Sequence, residues 1–315
     1  MTHRFEAPWW LPTGHLQTVW PTLARKRPAA TFDNERLELP DGDFLDLHWA
    51  GPDSPNLAVI LHGLAGSSQS TYASGITLAL AKQGWRVCVM HFRGCSGELN
   101  RLDRSYHSGD TGDIDFVVHT LRQRLNPQRL VTLGYSLGGN MMLKWLGELG
   151  DAAPVERAVA VSVPFQLDRA ADALNRGVSR LYQWWLVRSL AASFREKFAS
   201  RELPARVHSD VSSFSSFWWF DDRVTAPLHG FEDVHDYYAR SSSRQYLKEI
   251  RVPTVLLHAE DDPFLPRDGI PCETDLNEFV TLNLQAKGGH VGFVYGSSPW
   301  AARYWLEECI PSIFG

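Results

Sequence analysis

Ser136 is the residue whose surroundings point most directly to chemistry. It stands in LGYSLGG, residues 133–139, where Gly134 and Gly138 flank it in a G-x-S-x-G pattern. This pattern is typical of a sharp strand-to-helix turn, in which the central residue is strained and larger flanking side chains would collide. Such a turn raises the hydroxyl above the edge of a sheet, so we predict a nucleophile. The alternative is a serine that caps the following helix, with glycines for tight packing.

A serine nucleophile needs a base, and the base needs an orienting carboxylate, because the hydroxyl alone reacts poorly at neutral pH. In enzymes with the serine on such a turn, the acid and then the histidine follow along the chain, each after a strand. Two candidate acids, Asp261 and Asp262, stand in EDDPFLP after the apolar run TVLLHA. His290 stands in the glycine-rich AKGGHVGF after the run FVTLNLQ. The residues alone leave both aspartates open.

Reaction at an acyl carbonyl also needs N–H donors for the negative charge that develops on its oxygen. The Leu137 N–H is one candidate, because it begins the helix after the serine, where the helix dipole is positive. The Leu64 N–H is the second, in HGLAGSSQS, residues 62–70. A His-Gly loop after the first central strand is typical of such donors. We expect His62 to shape this loop and to take no part in catalysis.

The pattern of apolar residues predicts a mostly parallel sheet with helices on both faces. Short β-branched runs alternate with helical segments from residue 57 onward, as in right-handed βαβ units. The predicted strands cover 56–63, 85–92, 129–135, 157–163, 254–260 and 279–285. The predicted helices cover 71–84, 112–125, 137–150 and 300–310, and an antiparallel hairpin at 35–49 precedes the first central strand. The fold class is therefore α/β.

The parallel pattern is interrupted between residues 164 and 250. Residues 165–250 contain 15 Phe, Trp and Tyr in 86 residues, about 17% against 12% for the whole chain, and such an excess favours a cap over an apolar pocket. The alternative is that the rings only anchor the insertion to the core. We predict three parts: an N-terminal arm over 1–34, an α/β core over 35–163 and 251–315, and a helical cap over 164–250.

Composition excludes several functions. The 315-residue chain has a formal net charge of −5 and a pI near 6.2, and its densest basic stretch is ARKRP, residues 24–28, so we expect no nucleic-acid partner. No apolar run is long enough to cross a membrane and no secretory signal pattern begins the chain, so we expect a cytoplasmic protein. The cysteines are spaced too widely for a zinc site and are expected to be reduced thiols; they are Cys88, Cys95, Cys272 and Cys309.

Further motifs carry a resemblance to a known family. They are GHLQTVWP (14–21), FRGCSGE (92–98), YHSGDTGDID (106–115), GFEDVHDYYARSS (230–242) and IRVPTVLLHAEDDP (250–263), the last two within a long segment from Asp221 to Asp262. With these motifs the chain resembles the YheT-like branch of the α/β-hydrolase superfamily over nearly its whole length. The fold that this implies is an α/β-hydrolase fold with a helical cap insertion.

The resemblance implies a serine hydrolase of carboxylic esters with Ser136, Asp262 and His290 as its catalytic triad, and no metal or organic cofactor. In the family the acid is usually the carboxylate just before the Pro-containing turn, which favours Asp262 over Asp261. The partner would be a small-molecule ester with a short to medium acyl chain, and monoacylglycerol-like esters are candidates. Eukaryotic relatives resemble membrane-anchored lipases or enzymes that transfer medium-chain acyl groups to alcohols. We expect no counterpart of their anchor here.

The family motifs outside the triad predict mainly structural contacts. We expect Arg93 to bridge loops at the carboxyl edge of the sheet, with orientation of an acid group as the alternative. We expect Trp9, Trp10 and Trp20 to hold the N-terminal arm against the body.

Two other functions remain open from the sequence. An alcohol acyltransferase would use the same triad, because the choice between water and an alcohol at the acyl-enzyme depends on how well water is excluded. A catalytically silent hydrolase fold that binds a ligand or partner would lack at least one catalytic part.

Overall fold

The computed structural model describes residues 4–208, 210 and 215–315. In these residues a sheet of eight strands forms the centre, in the order β1-β2-β4-β3-β5-β6-β7-β8. The strands are β1 (Asp33–Glu38), β2 (Phe44–Ala50), β3 (Asn56–Leu61), β4 (Arg86–Met90), β5 (Arg129–Tyr135), β6 (Arg157–Val161), β7 (Thr254–Ala259) and β8 (Val280–Gln285). Phe214, one of the aromatic residues counted in the insertion, lies outside the described residues.

Strands β3 to β8 are parallel, whereas β1 and β2 run antiparallel at one edge of the sheet. The central strands are covered on both faces, since β3 buries five of its six residues and β5 six of its seven. The edge strand β1 instead alternates exposed and half-buried residues along its second half. The predicted hairpin and the mostly parallel sheet are confirmed.

Helices cover both faces of this sheet. They are α2 (Thr71–Lys82) and α10 (Trp305–Phe314) on one face, and α3 (Thr111–Leu125) and α4 (Leu137–Leu149) on the other. The first pair buries Ile76 and Ile310 against the strands, and the second pair buries Leu121 and Trp145. Each helix therefore contributes an apolar side to one of two cores, and the predicted α/β class is confirmed.

The chain between β6 and β7 is helical in its described residues. Its helices are α5 (Leu167–Leu174), α6 (Ser179–Lys197), α7 (Phe217–Phe220), α8 (Ala226–Leu228) and α9 (Val234–Ser241). They form two small apolar clusters of their own, one around Phe231 and Tyr237 and one around Phe194 and Phe220. The boundaries of arm, core and cap stay predictions.

Two elements differ from the sequence prediction. The last helix begins at Trp305 and not at residue 300, because Arg303–Tyr304 form a short strand, β10, that pairs with β9 (Val294–Tyr295). The N-terminal arm contains a helix, α1 (Gly14–Leu23), that the sequence did not predict. Gly14, Pro21 and several β-branched residues lower its intrinsic helix propensity, so its contacts with the body must stabilise it.

Candidate active site

Ser136 lies in the turn between β5 and α4, with φ 49° and ψ −119°. This is a strained conformation for a residue other than glycine. A Cβ atom on Gly134 would lie 2.6 Å from the Gly139 Cα, and one on Gly138 would lie 2.4 Å from the His62 carbonyl oxygen. Both glycines of the pattern are therefore required by close packing. The Ser136 side chain does not cap α4, so the helix-cap alternative is wrong.

His290 lies in the loop after β8, with its ring between Ser136 and Asp262. Its Nε2 is 3.0 Å from the Ser136 Oγ, and its Nδ1 is 2.9 Å from the Asp262 Oδ2. An ionised carboxylate only accepts, so the ring donates from Nδ1 and leaves Nε2 to accept from the serine hydroxyl. The structure thus brings together the three residues that the sequence singled out, in the tautomer that proton transfer from a serine needs.

The side chain of Asp262 is fully buried, and two kinds of contact offset that burial. Burial raises the pKa of Asp262, but His290, His258 and the Phe264 N–H together lower it more, so the pKa lies below its usual value. The Oδ1 also accepts the Phe264 N–H at 2.8 Å. The Phe264 ring stacks on the His290 ring, with centroids 3.9 Å apart and planes 4° apart. The imidazole is therefore fixed both at its edge and on its face.

Asp261, the other candidate acid, makes different contacts. Its Oδ1 accepts the Gly289 N–H at 2.9 Å, so it holds the backbone of the histidine loop. Its Oδ2 is 3.9 Å from the Lys287 Nζ. Within the described part of the chain, the Asp261 side chain makes no contact with the His290 ring. The geometry therefore favours Asp262 as the acid that orients the histidine.

The loop that contains Leu64 is tied down by two phenol groups. The Gly63 N–H donates to the Tyr72 hydroxyl at 2.8 Å, and the Ala65 N–H donates to the Tyr106 hydroxyl at 3.0 Å. A Cβ atom on Gly63 would lie 3.4 Å from the Ser136 Cβ, so this loop passes directly beside the serine. The N–H groups on either side of Leu64 are thus occupied, while Leu64 itself lines the cavity that contains Ser136.

His62 is a structural residue of the same loop. Its Nε2 accepts the Phe92 N–H at 3.2 Å, and its Nδ1 is 2.7 Å from the Gly63 carbonyl oxygen, to which it donates. Complete burial lowers the pKa of His62 to about 4, so the ring is neutral at neutral pH. Both ring nitrogens are engaged with main chain, as expected for a residue that shapes the loop.

Arg93 is a buried bridge between loops. Its guanidinium donates two hydrogen bonds of 2.7 Å to Asp113 and one of 2.9 Å to Asp43. A third carboxylate, on Asp41, lies 2.8 Å away. These partners belong to the β1–β2 hairpin and to α3, so the structural interpretation of Arg93 is the one that the contacts support.

The unpredicted helix α1 holds the backbone of the histidine loop. The Thr18 Oγ1 accepts the His290 N–H at 2.8 Å and donates to the Gly14 carbonyl at 2.7 Å. The buried Gln17 side chain exchanges two hydrogen bonds with the Val294 main chain, at 2.7 and 3.0 Å. A Cβ atom on Gly14 would lie only 1.8 Å from the Asp261 carbonyl oxygen. The GHLQT stretch is therefore a clamp on the loop that carries His290.

The tryptophans of the arm act next to this clamp. The Trp10 Nε1 donates to the Gly296 carbonyl at 3.1 Å, and the Trp9 Nε1 donates to the Ser297 carbonyl at 3.2 Å. The Trp10 and Trp20 rings meet edge to face with centroids 4.7 Å apart. They hold the arm against the segment that follows the histidine loop, as the sequence predicted.

A cavity of about 780 Å³ opens above Ser136 and His290. From the core it is lined by the serine turn, the Leu64 loop and α1. From the insertion it is lined by mainly apolar side chains, among them Leu174, Leu186, Leu190, Phe194, Phe220 and Val224. The volume is within the range of sites for small organic ligands, and the walls favour an apolar one.

Comparisons with known proteins agree with this architecture. The sequence pattern of the alpha/beta hydrolase fold family matches residues 57–297. The chain is 42% identical over 304 residues to a protein of Escherichia coli (strain K12) named as an esterase, YheT, and the alignment covers 94% of this chain and 88% of that protein. The chain is a YheT-like α/β hydrolase. The family resemblance stated from the sequence motifs is confirmed.

More distant proteins share the same fold. This YheT-like hydrolase is 30% identical over 302 residues to the phospholipase ABHD3 of Mus musculus, with 91% of this chain and 72% of that protein covered. A solved esterase of Pyrococcus furiosus matches with a TM-score of 0.55 and 17% identity, over 83% of this chain and 84% of that chain. At this identity the second similarity concerns the fold alone.

In the described ranges of the hydrolase, no group of three or more His, Cys, Asp or Glu side chains is arranged to hold a metal ion. Over the same residues, none of the helices has the length and apolar character that a membrane crossing requires.

Several residues of the site were not found from the sequence. Tyr72 and Tyr106 hold the loop around Leu64, Thr18 holds the His290 backbone, and Phe264 stacks on its ring. Thr18 and Tyr106 stand in the motifs GHLQTVWP and YHSGDTGDID, and Phe264 follows the aspartate turn, but none of these signals says what the side chain contacts. Thr18, Tyr72 and Tyr106 act through main-chain partners in other parts of the chain, and no spacing pattern encodes such contacts.

Proposed function

We propose that this YheT-like hydrolase cleaves carboxylic esters through an acyl-enzyme formed on Ser136. The observation that carries the proposal is the continuous path from Asp262 through His290 to the Ser136 Oγ, with steps of 2.9 and 3.0 Å. Over such distances a histidine takes the proton of a serine as the serine attacks. A silent binding protein would be expected to lack or misplace one of these groups, so the complete path supports an enzyme.

The first half of the reaction transfers the acyl group to the protein. The Ser136 Oγ bonds to the ester carbonyl carbon while its proton passes to the His290 Nε2. The tetrahedral intermediate collapses, the bond from carbon to the alcohol oxygen breaks, and His290 gives its proton to that oxygen. Water then gives a proton to the His290 Nε2 as its oxygen bonds to the acyl carbon. The bond from that carbon to the Ser136 Oγ breaks and His290 returns its proton to the Oγ, which releases the carboxylic acid and the free serine. Asp262 stays ionised and stabilises the imidazolium in both halves.

The Leu64 and Leu137 N–H groups are the proposed donors to the oxyanion. Leu137 begins α4, where the main-chain N–H groups have no partner within the helix. Leu64 lies between two residues whose N–H groups are occupied by Tyr72 and Tyr106, beside the serine. Loss of one such donor raises the barrier by about 3 kcal/mol.

The proposed substrates are esters of short to medium acyl chains, including monoacylglycerol-like esters. The apolar lining and the volume of about 780 Å³ support an alkyl chain in the cavity, with the ester at Ser136. The named activities of the relatives, an esterase and a phospholipase, also concern acyl esters. Each buried methylene of such a chain contributes about 0.8 kcal/mol to binding, so preference should rise with chain length until the cavity is filled.

The test is labelling with a fluorophosphonate probe, together with hydrolysis of p-nitrophenyl esters of increasing acyl length. Ser136→Ala should abolish labelling and lower kcat by about 10⁶-fold with the fold intact, because the serine and histidine act as a unit. Ser193→Ala, which removes another serine hydroxyl from the cavity wall, should still be labelled. Labelling that persists in Ser136→Ala, or a folded wild type that neither labels nor turns over, would refute the proposal.

A further inference from the structure

Helix α6 carries apolar side chains on its solvent side as well as on its buried side. Leu181, Trp184 and Trp185 are 67%, 59% and 59% exposed. Their spacing of i, i+3 and i+4 places them on one side of the helix. Arg188 continues this side at i+7, with its guanidinium 5.5 Å from the centre of the Trp184 ring. Adjacent exposed tryptophans in an apolar stripe indicate a surface with a partner.

Helix α1 extends this apolar surface. The His15 Nδ1 is 3.1 Å from the Tyr182 hydroxyl, and the two rings stack, so α1 and α6 are in contact through this pair. On α1, Leu16 is 46% exposed and Leu23 is 80% exposed. The exposed apolar side chains of these two helices form a docking face, which consists of Leu16, Leu23, Leu181, Trp184 and Trp185.

The docking face borders the opening of the active-site cavity. Leu23 and Trp185 are exposed to solvent, and both also line the cavity that contains Ser136 and His290. A side chain that meets both solvent and cavity lies where the two join. A partner that covers the docking face would therefore lie directly over the route to the serine.

Basic residues flank the docking face, although the chain as a whole carries −5. Neither residues 7–32 nor residues 173–195 contain an Asp or Glu. These two segments do contain exposed basic residues, which are Lys26, Arg27, Arg176, Arg180 and Arg188. The acidic residue at the cavity opening, Asp103, is 3.6 Å from Arg201 and so is partly neutralised. The partner should accordingly combine an apolar phase with negative charge.

We propose that the docking face seats the protein on the surface of an anionic lipid bilayer, so that an ester lipid enters the cavity directly from the lipid phase. Tryptophan rings favour the boundary between headgroups and acyl chains, and arginine and lysine pair with lipid phosphates. Peripheral contact of this kind requires no helix that crosses the membrane. The fate of the lipid rests on the proposed ester hydrolysis, whereas the docking step does not.

A second copy of the chain is the competing occupant. A symmetric dimer places the same patch on both partners. Such an interface would bring Arg180 and Arg188 of both copies into one patch, with no carboxylate in 173–195 to pair with them. Charge therefore favours an anionic lipid surface over self-association.

The experiment is sedimentation of the full chain with vesicles, in the Ser136→Ala background so that lipids are not cleaved. Vesicles of phosphatidylcholine alone are compared with vesicles in which about a third of the lipid is phosphatidylglycerol. We expect binding to the anionic vesicles that weakens as salt is raised. Leu181→Ser/Trp184→Ser and Arg180→Gln/Arg188→Gln should each weaken it by about tenfold or more. Trp300→Ser, which removes a tryptophan that is 93% exposed elsewhere, is the matched control.

Activity separates docking from chemistry. With the serine restored, Leu181→Ser/Trp184→Ser should hydrolyse a water-soluble p-nitrophenyl ester like wild type, because neither residue lines the cavity. It should lose activity only on esters held in anionic vesicles. Melting curves confirm that each variant is folded.

Three results would overturn the proposal. The first is that the Ser136→Ala protein does not sediment with anionic vesicles, and the second is that Trp300→Ser weakens vesicle binding as much as Leu181→Ser/Trp184→Ser does. The third is that the protein binds no vesicles but forms a dimer, and that Leu181→Ser/Trp184→Ser abolishes the dimer. The last result would assign the docking face to a second copy. Failure of the proposed hydrolysis alone would look different: the protein with Ser136 present would not be labelled by the fluorophosphonate probe but would still bind vesicles.

Discussion

Two buried carboxylates reach the same cavity, Asp262 from the core and Asp221 from the insertion, and their pKa values move in opposite directions. The pKa of Asp262 is lowered because His290 offsets the effect of burial with charge and a hydrogen bond. For Asp221, burial raises the pKa to about 6, since its partners are only hydroxyls, Thr225 at 2.6 Å and Tyr238 at 2.8 Å. The carboxylate of the core wall thus has a histidine partner that favours its charge, whereas the carboxylate of the insertion wall has hydroxyl partners.

This difference fits the roles of the two walls. In the proposed mechanism the core wall must keep a carboxylate ionised beside a histidine that gains a proton in each half-reaction. The insertion wall would face the apolar chain of the proposed substrate, and it consists mainly of leucine and aromatic residues, with Lys197 and Asp221 as charged exceptions. Asp221 belongs to a π-helical turn, Asp221–Thr225, a rare element that is often found near functional sites. Changes in the core should therefore alter the rate of chemistry, and changes in the insertion should alter stability and substrate choice.

The strongest test of the core wall is Asp262→Asn. We expect kcat to fall by about 10⁴-fold, because the amide favours the wrong histidine tautomer and no longer stabilises the imidazolium. Asp261→Asn is the matched control one residue away, and it should lose far less, since Asp261 contacts the loop backbone and Lys287 and not the His290 ring. Steady-state kinetics on a p-nitrophenyl ester decide the matter. Equal losses of kcat in the two variants would contradict the role proposed for Asp262.

Asp221 should make the stability of the protein depend on pH. Its folded pKa of about 6 lies above the usual 3.8, so between these values the native state keeps a proton that the unfolded state has lost. The free energy of unfolding should therefore fall as pH rises through this window, by roughly 3 kcal/mol in total from this group. Urea unfolding of wild type and Asp221→Asn on both sides of the window measures the difference. The same slope in both proteins would contradict the prediction.

The insertion wall should set the acyl-chain preference. Leu190 on α6 is half-buried and lines the cavity, and Leu190→Trp would fill part of it. We expect kcat/KM for the longest accepted esters to fall by about tenfold, because the tryptophan would occupy the space of a few methylenes of the acyl chain. The acetyl ester should be hardly affected. Leu78→Trp, at an exposed leucine on α2, is the control, and a uniform loss across all chain lengths would show that the core was disturbed instead.

The smallest expected effect concerns the clamp on the core wall. Thr18→Val removes the acceptor of the His290 N–H and should lower kcat by about tenfold with little change in KM, because a lost hydrogen bond of this kind costs about 1–3 kcal/mol. Thr18→Ser keeps the hydroxyl and should restore most of the rate. A change confined to KM would place Thr18 in substrate binding and not in positioning.

The sequence predicted the parts of the core wall that follow strands. Ser136, the aspartate pair and His290 each come directly after an apolar run, so the sheet itself brings them to one edge. The choice between Asp261 and Asp262 depended on family resemblance, because neighbouring residues of a turn point in different directions and spacing alone does not say which. The start of the last helix was misplaced because β10 pairs with β9, a contact that the local pattern does not contain.

The clamp was beyond prediction for a different reason. Thr18 and His290 are separated by 272 residues, and α1 has low intrinsic helix propensity. Its helical state and its role both arise from contacts with the finished body. The raised pKa of Asp221 likewise depends on its complete burial in the insertion, which no pattern of neighbouring residues specifies.

The clamp also has a consequence for how the protein is made. A ribosome synthesises Thr18 272 residues before His290, and domains tend to fold as they emerge. The arm must therefore wait, without its partner, until the histidine loop has been translated. The nascent polypeptide carries Ser136 long before His290 is in position, so the proposed hydrolytic activity cannot begin until the chain has been synthesised beyond His290.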